Sequence, residues 1–165
     1  MRTTMPLPDE IRRLPLLLRV TVPREWEDLN GHVNVKHHLG MYDLTTVAVL
    51  ELLGIDEDWV RTHRTGIFDL EHHIWFVNEV HVGDEVALHI RFTERNQKRV
   101  AGLVFLLNES RQCLSSVIEF VSAAAHLDAR RAIPLPEVIA ARLDELLAEH
   151  LGLAWPAPRS GAIAV

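Results

Sequence analysis

The sequence has a single cysteine and no long hydrophobic run, and both absences narrow the class of protein. Only Cys113 among the 165 residues carries a thiol, so no internal disulfide can form, which favours a reducing compartment. No apolar run approaches the roughly 20 residues of a membrane span, and the first residues lack the apolar stretch of a secretion signal. We expect a soluble, cytoplasmic protein with one domain over residues 1–150 and a loosely held tail over residues 151–165.

Several catalytic signatures are also missing. There is no Gly-x-Ser-x-Gly elbow, glycine-rich phosphate loop, His-Glu-x-x-His or paired-cysteine motif, and Cys113 has no neighbouring base. Because no histidine spacing matches a known ligand set, we predict no metal, while a metal-dependent hydrolase stays an alternative. The histidines that can converge in principle are His32, His37, His38, His72 and His73.

The net charge of −6 is distributed unevenly along the chain. Residues 25–94 carry 14 acidic and 4 basic side chains, whereas residues 95–131 carry 6 basic and 3 acidic ones. The acidic balance argues against a nucleic-acid partner, because phosphate neutralisation requires the opposite sign. The basic segment can contact a small phosphorylated ligand, or its charges can simply keep surface loops soluble.

The hydropathy pattern predicts an α+β domain. Branched apolar residues over 14–22 predict a first strand, and residues 37–53 predict one long, largely buried helix that ends at Gly54. Alternation from Gly66 onward predicts four further strands with short connections. An antiparallel sheet that wraps the long helix buries both. A last, amphipathic helix is predicted from the spacing of Ile139, Leu143, Leu146, Leu147 and His150.

The densest polar cluster, Asp28 to Asn34, lies between the first strand and the predicted helix. A helix that begins here presents unpaired N–H groups and its positive dipole end beside Asp28. Such donors can stabilise an oxyanion while a carboxylate activates water or attacks directly. The plain alternative is a capped helix start with an Asn30-Gly31 turn.

Together with Trp26 this cluster forms the motif W-x-D-x-x-G-H-x-N and resembles the hotdog-fold thioesterases of the 4-hydroxybenzoyl-CoA thioesterase type. That family carries a tyrosine four residues after the asparagine, so five of six positions match and His38 stands at the sixth. The likeness covers about residues 14–150. The stretch from Glu71 to Asp84 is similar to the betainyl-CoA thioesterase module associated with carnitine breakdown.

The resemblance implies a hotdog fold, an antiparallel sheet around one long buried helix, and hydrolysis of a small acyl-CoA such as betainyl-CoA. Asp28 is then the nucleophile or general base, and the backbone N–H of Val35 polarises the thioester carbonyl. His32 and Asn34 shape the loop and cap the helix. The resemblance also implies coenzyme A as part of the substrate, no other cofactor, and a homodimer or dimer of dimers with its site between protomers. No nucleic acid or membrane partner is expected.

Further side chains are candidates for the site. Glu71 and His73 lie two residues apart on one strand, so both project from one face and can orient water, unless they are solvated or form a subunit contact. Trp26, Trp75 and Phe76 can line the acyl pocket or belong to the core. The predicted contacts to the coenzyme A phosphates are Arg95, Lys98, Arg99 and Arg130. Because His38 replaces the tyrosine, a non-catalytic acyl-CoA-binding or assembly protein stays an alternative.

Overall fold

The computed structural model describes residues 4–165, whose strands form a single antiparallel sheet. The strands are β1 Leu16–Thr21, β2 Thr65–Phe76, β3 Glu85–Arg95, β4 Arg99–Asn108, β5 Cys113–His126 and β6 Arg131–Ala132. The helices are α1 Pro8–Ile11, α2 Val35–Asp43, α3 Thr46–Leu52, α4 Glu57–His63 and α5 Glu137–Leu151, and a 3₁₀ turn spans Arg24–Trp26. The α+β class predicted from the sequence is confirmed.

The strand order is β1-β3-β4-β5-β2, with the short β6 paired to the end of β5. The chain therefore passes through α2, α3 and α4 before it returns as β2, which pairs with β5 at one edge of the sheet. The opposite edge is β1, which pairs with β3. Since β2 pairs with one strand only among residues 4–165, its other side is open to pairing.

Alternate side chains of strand β3 form part of the hydrophobic core. Its side chains Val86, Leu88, Ile90 and Phe92 are buried in the main hydrophobic cluster. Helix α5 packs against this strand, and its buried residues are the five that the helical spacing predicted: Ile139, Leu143, Leu146, Leu147 and His150. The amphipathic helix is therefore confirmed, and its docking surface is the core face of β3.

The single long helix that the sequence predicted is divided in two, α2 and α3, with a break at Leu44–Thr45. At the break the hydroxyl of Thr45 donates to the carbonyl oxygen of Tyr42 at 2.7 Å, and that of Thr46 donates to Asp43 at 2.7 Å. Threonine hydroxyls compete with the backbone for these carbonyls, which accounts for the break. The prediction of one continuous helix was wrong in this respect.

Burial of these helices is also less complete than predicted. Helix α2 buries His38 and Met41, and no residue of α3 is fully buried, although several pack partly against the main core. Leu39, Leu44 and Val47 are exposed in the isolated chain because only one side of α2 and α3 meets the sheet. In residues 4–165 no single helix has the length and apolarity needed to cross a bilayer; one bent pair, Val35–Leu52 with Glu57–His63 at 80°, meets both criteria jointly.

The segment after α5, which we expected to be loosely held, packs on the sheet. Trp155 and Ile163 are buried, and the guanidinium of Arg91 lies 4.1 Å from the centroid of the Trp155 ring. The same guanidinium donates to the carbonyl oxygen of Trp155 at 3.0 Å. Buried apolar side chains at both ends of the tail thus hold it more firmly than its prolines and glycine had indicated.

Candidate active site

The loop that carries Asp28 is a tight, internally bonded turn. The Asp28 N–H donates to the carbonyl oxygen of His32 at 2.9 Å, and its Oδ1 accepts from the Asn30 N–H at 2.8 Å. Gly31 closes the turn at a φ of +81°, a conformation that other residues rarely adopt. The Asp28 carboxylate is thereby held in a fixed orientation, with its side chain 18% exposed.

Helix α2 begins directly after this loop, and its first N–H groups are unevenly satisfied. Asn34 is the cap residue: its Oδ1 accepts from the Lys36 N–H at 3.2 Å, and its carbonyl oxygen accepts from the His37 N–H at 2.9 Å. The N–H of Val35 makes no hydrogen bond to any residue from 4 to 165. One donor therefore remains free at the positive end of the helix dipole.

A cavity of about 340 Å³ lies beside this free donor. His32, Val35 and His38 line it together with the end of β2 and the segment that follows. Asp28 does not line the cavity itself, but its Oδ2 lies 3.7 Å from Nδ1 of His32, which does. The remaining lining residues are Val33, Phe76, Val77, Asn78, Glu79 and Val80.

His38 is held in this cavity by two contacts. Its Nδ1 lies 3.0 Å from the hydroxyl of Ser116 on β5, and its ring packs edge-on against Phe76 with centroids 5.1 Å apart. Burial, with smaller contributions from His32 and His37, lowers the pKa of His38 to about 4. The imidazole is therefore neutral at physiological pH. Ser116 could not be predicted as a partner from the sequence, because it lies 78 residues away from His38.

Glu71 and His73 do not join this site. A bulge at Leu70 lets Asp69 pair with Ser122 and Glu71 pair with Val121, which shifts the alternation by one residue. Glu71 and His73 consequently lie on the face opposite to α2, where the His73 ring contacts Trp75. Within one chain they therefore lie apart from the Asp28 loop, and their role at a site or a subunit contact stays a prediction.

The same bulge directs Asp69 and His72 toward α2. His72 Nε2 lies 3.1 Å from Asp69 Oδ2, and the hydroxyl of Ser122 donates to Asp69 Oδ1 at 2.5 Å. Burial works against the charge of Asp69, yet the bonds from His72 and Ser122 hold its pKa below the ordinary value. Burial and the Asp69 charge raise the pKa of Tyr42 beside it. Sequence reasoning missed this cluster, which borders an interior cavity of about 310 Å³.

The predicted phosphate contacts lie at the far end of the sheet. Arg99 pairs with Ala123, seven residues along β5 from Ser116, which corresponds to about 24 Å of strand. Lys98 and Arg130 lie at this same end and are exposed. The fourth residue, Arg95, is bound to Asp144 of α5 through two bonds of 2.7 and 2.5 Å.

The three candidate aromatic residues are divided among different places. Phe76 lines the cavity at the start of α2. Trp26 stacks on His37 with centroids 5.0 Å apart, and Trp75 packs with the second hydrophobic cluster on the opposite face of the sheet. Among residues 4–165 no group of three or more His, Cys, Asp or Glu is placed to hold a metal ion.

The family model of the thioesterase-like superfamily matches residues 22–143, which is more than half of the chain. The chain belongs to this superfamily. The match includes the Asp28 loop and the start of α2, and it supports the predicted enzyme class, a thioester hydrolase.

Some curated relatives of this chain carry the name betainyl-CoA thioesterase. The betainyl-CoA thioesterase of Pseudomonas aeruginosa is 28% identical over 133 residues, which cover 80% of this chain and 83% of that protein. An L-carnitine dehydrogenase/betainyl-CoA thioesterase of Ruegeria pomeroyi is 25% identical over 148 residues. That match covers 90% of this chain but 30% of the Ruegeria protein, so the chain spans less than a third of that relative.

Solved structures show the same fold at lower sequence identity. A hypothetical protein from Staphylococcus aureus, solved in complex with CoA, superposes with a TM-score of 0.80 at 20% identity and covers 92% of this chain and 96% of its own. A 1,4-dihydroxy-2-naphthoyl-CoA thioesterase from Synechocystis superposes with a TM-score of 0.68 at 16% identity, covering 78% and 95% respectively. The hotdog fold predicted from the sequence is confirmed.

Proposed function

We propose that this chain hydrolyses a small acyl-CoA thioester to the free acid and coenzyme A at the start of α2. The observation that carries the proposal is the free N–H of Val35, a residue that lines a cavity together with His38, one helix turn further on, and His32 of the Asp28 loop. A thioester carbonyl placed on this N–H has its developing negative charge stabilised by the donor and the helix dipole. The names of the relatives support the reaction class.

Asp28 supplies the second half of the reaction, as general base or as nucleophile. As a base, it takes a proton from water, whose oxygen bonds to the acyl carbon while the C–S bond breaks, and the proton then passes to the thiolate of coenzyme A. As a nucleophile, its carboxylate displaces the thiolate directly, and water opens the resulting anhydride. In a single turnover in ¹⁸O-water, a general base places ¹⁸O in the product acid, whereas an anhydride opened at the Asp28 carbonyl delivers ¹⁶O.

Betainyl-CoA is the substrate that we propose to test first. Phe76 and Glu79 line the cavity, and an aromatic ring with a carboxylate suits the trimethylammonium of a betainyl group. Its neutral isostere, 3,3-dimethylbutyryl-CoA, has the same shape without the charge. We expect kcat/KM to be higher for the charged ester. Equal values for the two esters would contradict recognition of the cation.

Thiol release from an acyl-CoA panel tests the reaction itself. Wild type is expected to release coenzyme A, and Asp28→Asn is expected to lower kcat by about 10²-fold or more, as for loss of a general base. Asp56→Asn is the matched control, because Asp56 caps α4 by accepting from the Trp59 N–H and does not line this cavity. If wild type binds acyl-CoA in calorimetry and releases no thiol, the protein is a non-catalytic binder. Loss of activity on treatment with a chelator would instead favour a metal-dependent hydrolase.

The dimer is also part of the proposal. The open edge of β2 carries Phe68, Leu70 and Phe76, all exposed, and the neighbouring helices expose Leu39 and Leu44. A second copy that pairs antiparallel with β2 would cover that apolar surface. It would also bring the end of its sheet that carries the basic residues toward the cavity at the start of α2. The exposed Lys98, Arg99 and Arg130 would then be available to the coenzyme A phosphates from the second protomer.

A further inference from the structure

We propose that His38 is a second hydrogen-bond donor to the thioester carbonyl and acts through a proton on Nε2. The inference rests on the proposed function, because it assigns a role to His38 within that same site. His38 stands at the position where the family carries a tyrosine. Three features support this role: the bond to Ser116, the unbonded Nε2 and the free N–H of Val35.

The bond to Ser116 determines which nitrogen carries the proton. Ser116 is buried, and Nδ1 of His38 is the one acceptor within reach of its hydroxyl among residues 4–165. A buried hydroxyl that failed to donate would leave its proton unpaired at a cost of about 1–3 kcal/mol. Ser116 therefore donates to Nδ1, and this places the imidazole proton on Nε2.

Nε2 of His38 is unbonded, and its side chain lines the cavity. It makes no hydrogen bond to residues 4–165, and it is not sealed from solvent as the unpaired Nε2 of His37 is. Because helical side chains lean toward the N-terminus, a side chain at His38 projects over the turn that begins at Val35. Val35 and His38 line the same cavity, so the backbone N–H of Val35 and the imidazole of His38 belong to one helix turn beside it.

The ring is held in place before any substrate binds. Ser116 fixes one edge of the imidazole and Phe76 packs against it at an interplanar angle of 86°. Burial keeps the ring neutral, so that Nε2–H donates without passing its proton to the oxyanion. A fixed neutral donor of this kind stabilises the transition state more than the ground state, because the carbonyl oxygen gains charge as the bond forms.

The kinetic test compares three substitutions with a neighbouring control. His38→Leu is expected to lower kcat about 10²-fold with KM changed by less than about threefold, which is the loss expected for one oxyanion donor. His38→Gln keeps an N–H donor and should recover most of that loss, whereas Ser116→Ala should lower kcat less than His38→Leu does. His37→Leu, whose ring stacks on Trp26 outside the cavity, should leave kcat unchanged.

A spectroscopic measurement tests the tautomer independently of turnover. In ¹⁵N-histidine-labelled protein, with His38 assigned by its absence from His38→Gln, Nε2 should have the shift of a protonated nitrogen and Nδ1 that of an unprotonated one. The reverse pattern, or full kcat in a folded and active His38→Leu, would overturn the inference. Absence of thiol release from wild type would instead overturn the proposed function, with the nitrogen shifts still readable.

Discussion

His38 couples the stability of the folded chain to pH. Burial lowers the pKa of His38 from 6.5 to about 4, so between these values the unfolded state binds the proton that the folded state excludes. Stability from this residue is fully present above pH 6.5 and is lost as the pH falls toward 4. The difference between the two pKa values corresponds to about 3 kcal/mol.

Urea unfolding of wild type and His38→Gln between pH 7 and pH 4 measures this coupling. We expect the unfolding free energy of wild type to fall by about 3 kcal/mol more than that of the variant. His89 and His150, whose pKa values burial also lowers, are present in both proteins and cancel in the difference. Parallel pH curves for the two proteins would contradict the buried, neutral imidazole.

At the scale of elements, the C-terminal tail is fastened to the sheet through a buried carboxylate. Glu119 of β5 is 2% exposed, and its Oε1 lies 3.2 Å from Nε of Arg159 while its Oε2 accepts from the Ser160 N–H at 2.9 Å. Arg159 also pairs with Glu94 of β3. A carboxylate this deeply buried is costly without a cation, so the tail contributes to the stability of the sheet.

Substitution of Arg159 by alanine should therefore destabilise the protein. We expect the unfolding free energy to fall by about 2 kcal/mol, below the full cost of an isolated buried charge because Arg159 is itself about one third exposed. Arg61→Ala is the control, since its pair with Asp58 is exposed on both sides and should contribute less than about 0.5 kcal/mol. Equal effects of the two substitutions in denaturant unfolding would show that the tail is not held by Glu119.

The periodicity of the sequence predicted the helices and strands, whereas contacts between distant residues determined which side chains meet at the site. The five core residues of α5 follow from 3.6-residue spacing, and the core face of β3 follows from alternation, because each depends only on neighbours in sequence. The bulge at Leu70 leaves no trace in the alternation, so the turn of Asp69 toward α2 could not be predicted. The motif located the loop at Asp28, but the contact between His38 and Ser116 required the fold.

At the scale of the whole molecule, we predict a dimer that forms through the β2 edge. Leu70→Lys places a charge among the exposed apolar side chains of that edge and should convert the protein from a dimer to a monomer of 18.8 kDa. Leu16→Lys, at an exposed position of β1 on the opposite edge, is the matched control and should remain dimeric. Light scattering coupled to size exclusion distinguishes the two masses.

Loss of the dimer should also remove activity if the site lies between protomers. A monomeric Leu70→Lys that keeps full thiol release would show that one chain contains the whole site. A wild type that is already monomeric would contradict the assignment of β2 as the interface. Neither result would decide whether the N–H of Val35 polarises the thioester, which needs a test of its own.

The most direct test of the central claim is removal of the Val35 N–H by Val35→Pro. Proline is tolerated at the first position of a helix, and Asn34 before it already has an extended backbone with ψ of 141°, so the substitution removes the donor while preserving α2. Val35→Ala keeps the N–H and serves as control. Thiol release should fall about 10²-fold or more in Val35→Pro and stay near wild type in Val35→Ala. Equal kcat in all three folded proteins would contradict the claim that this N–H polarises the thioester.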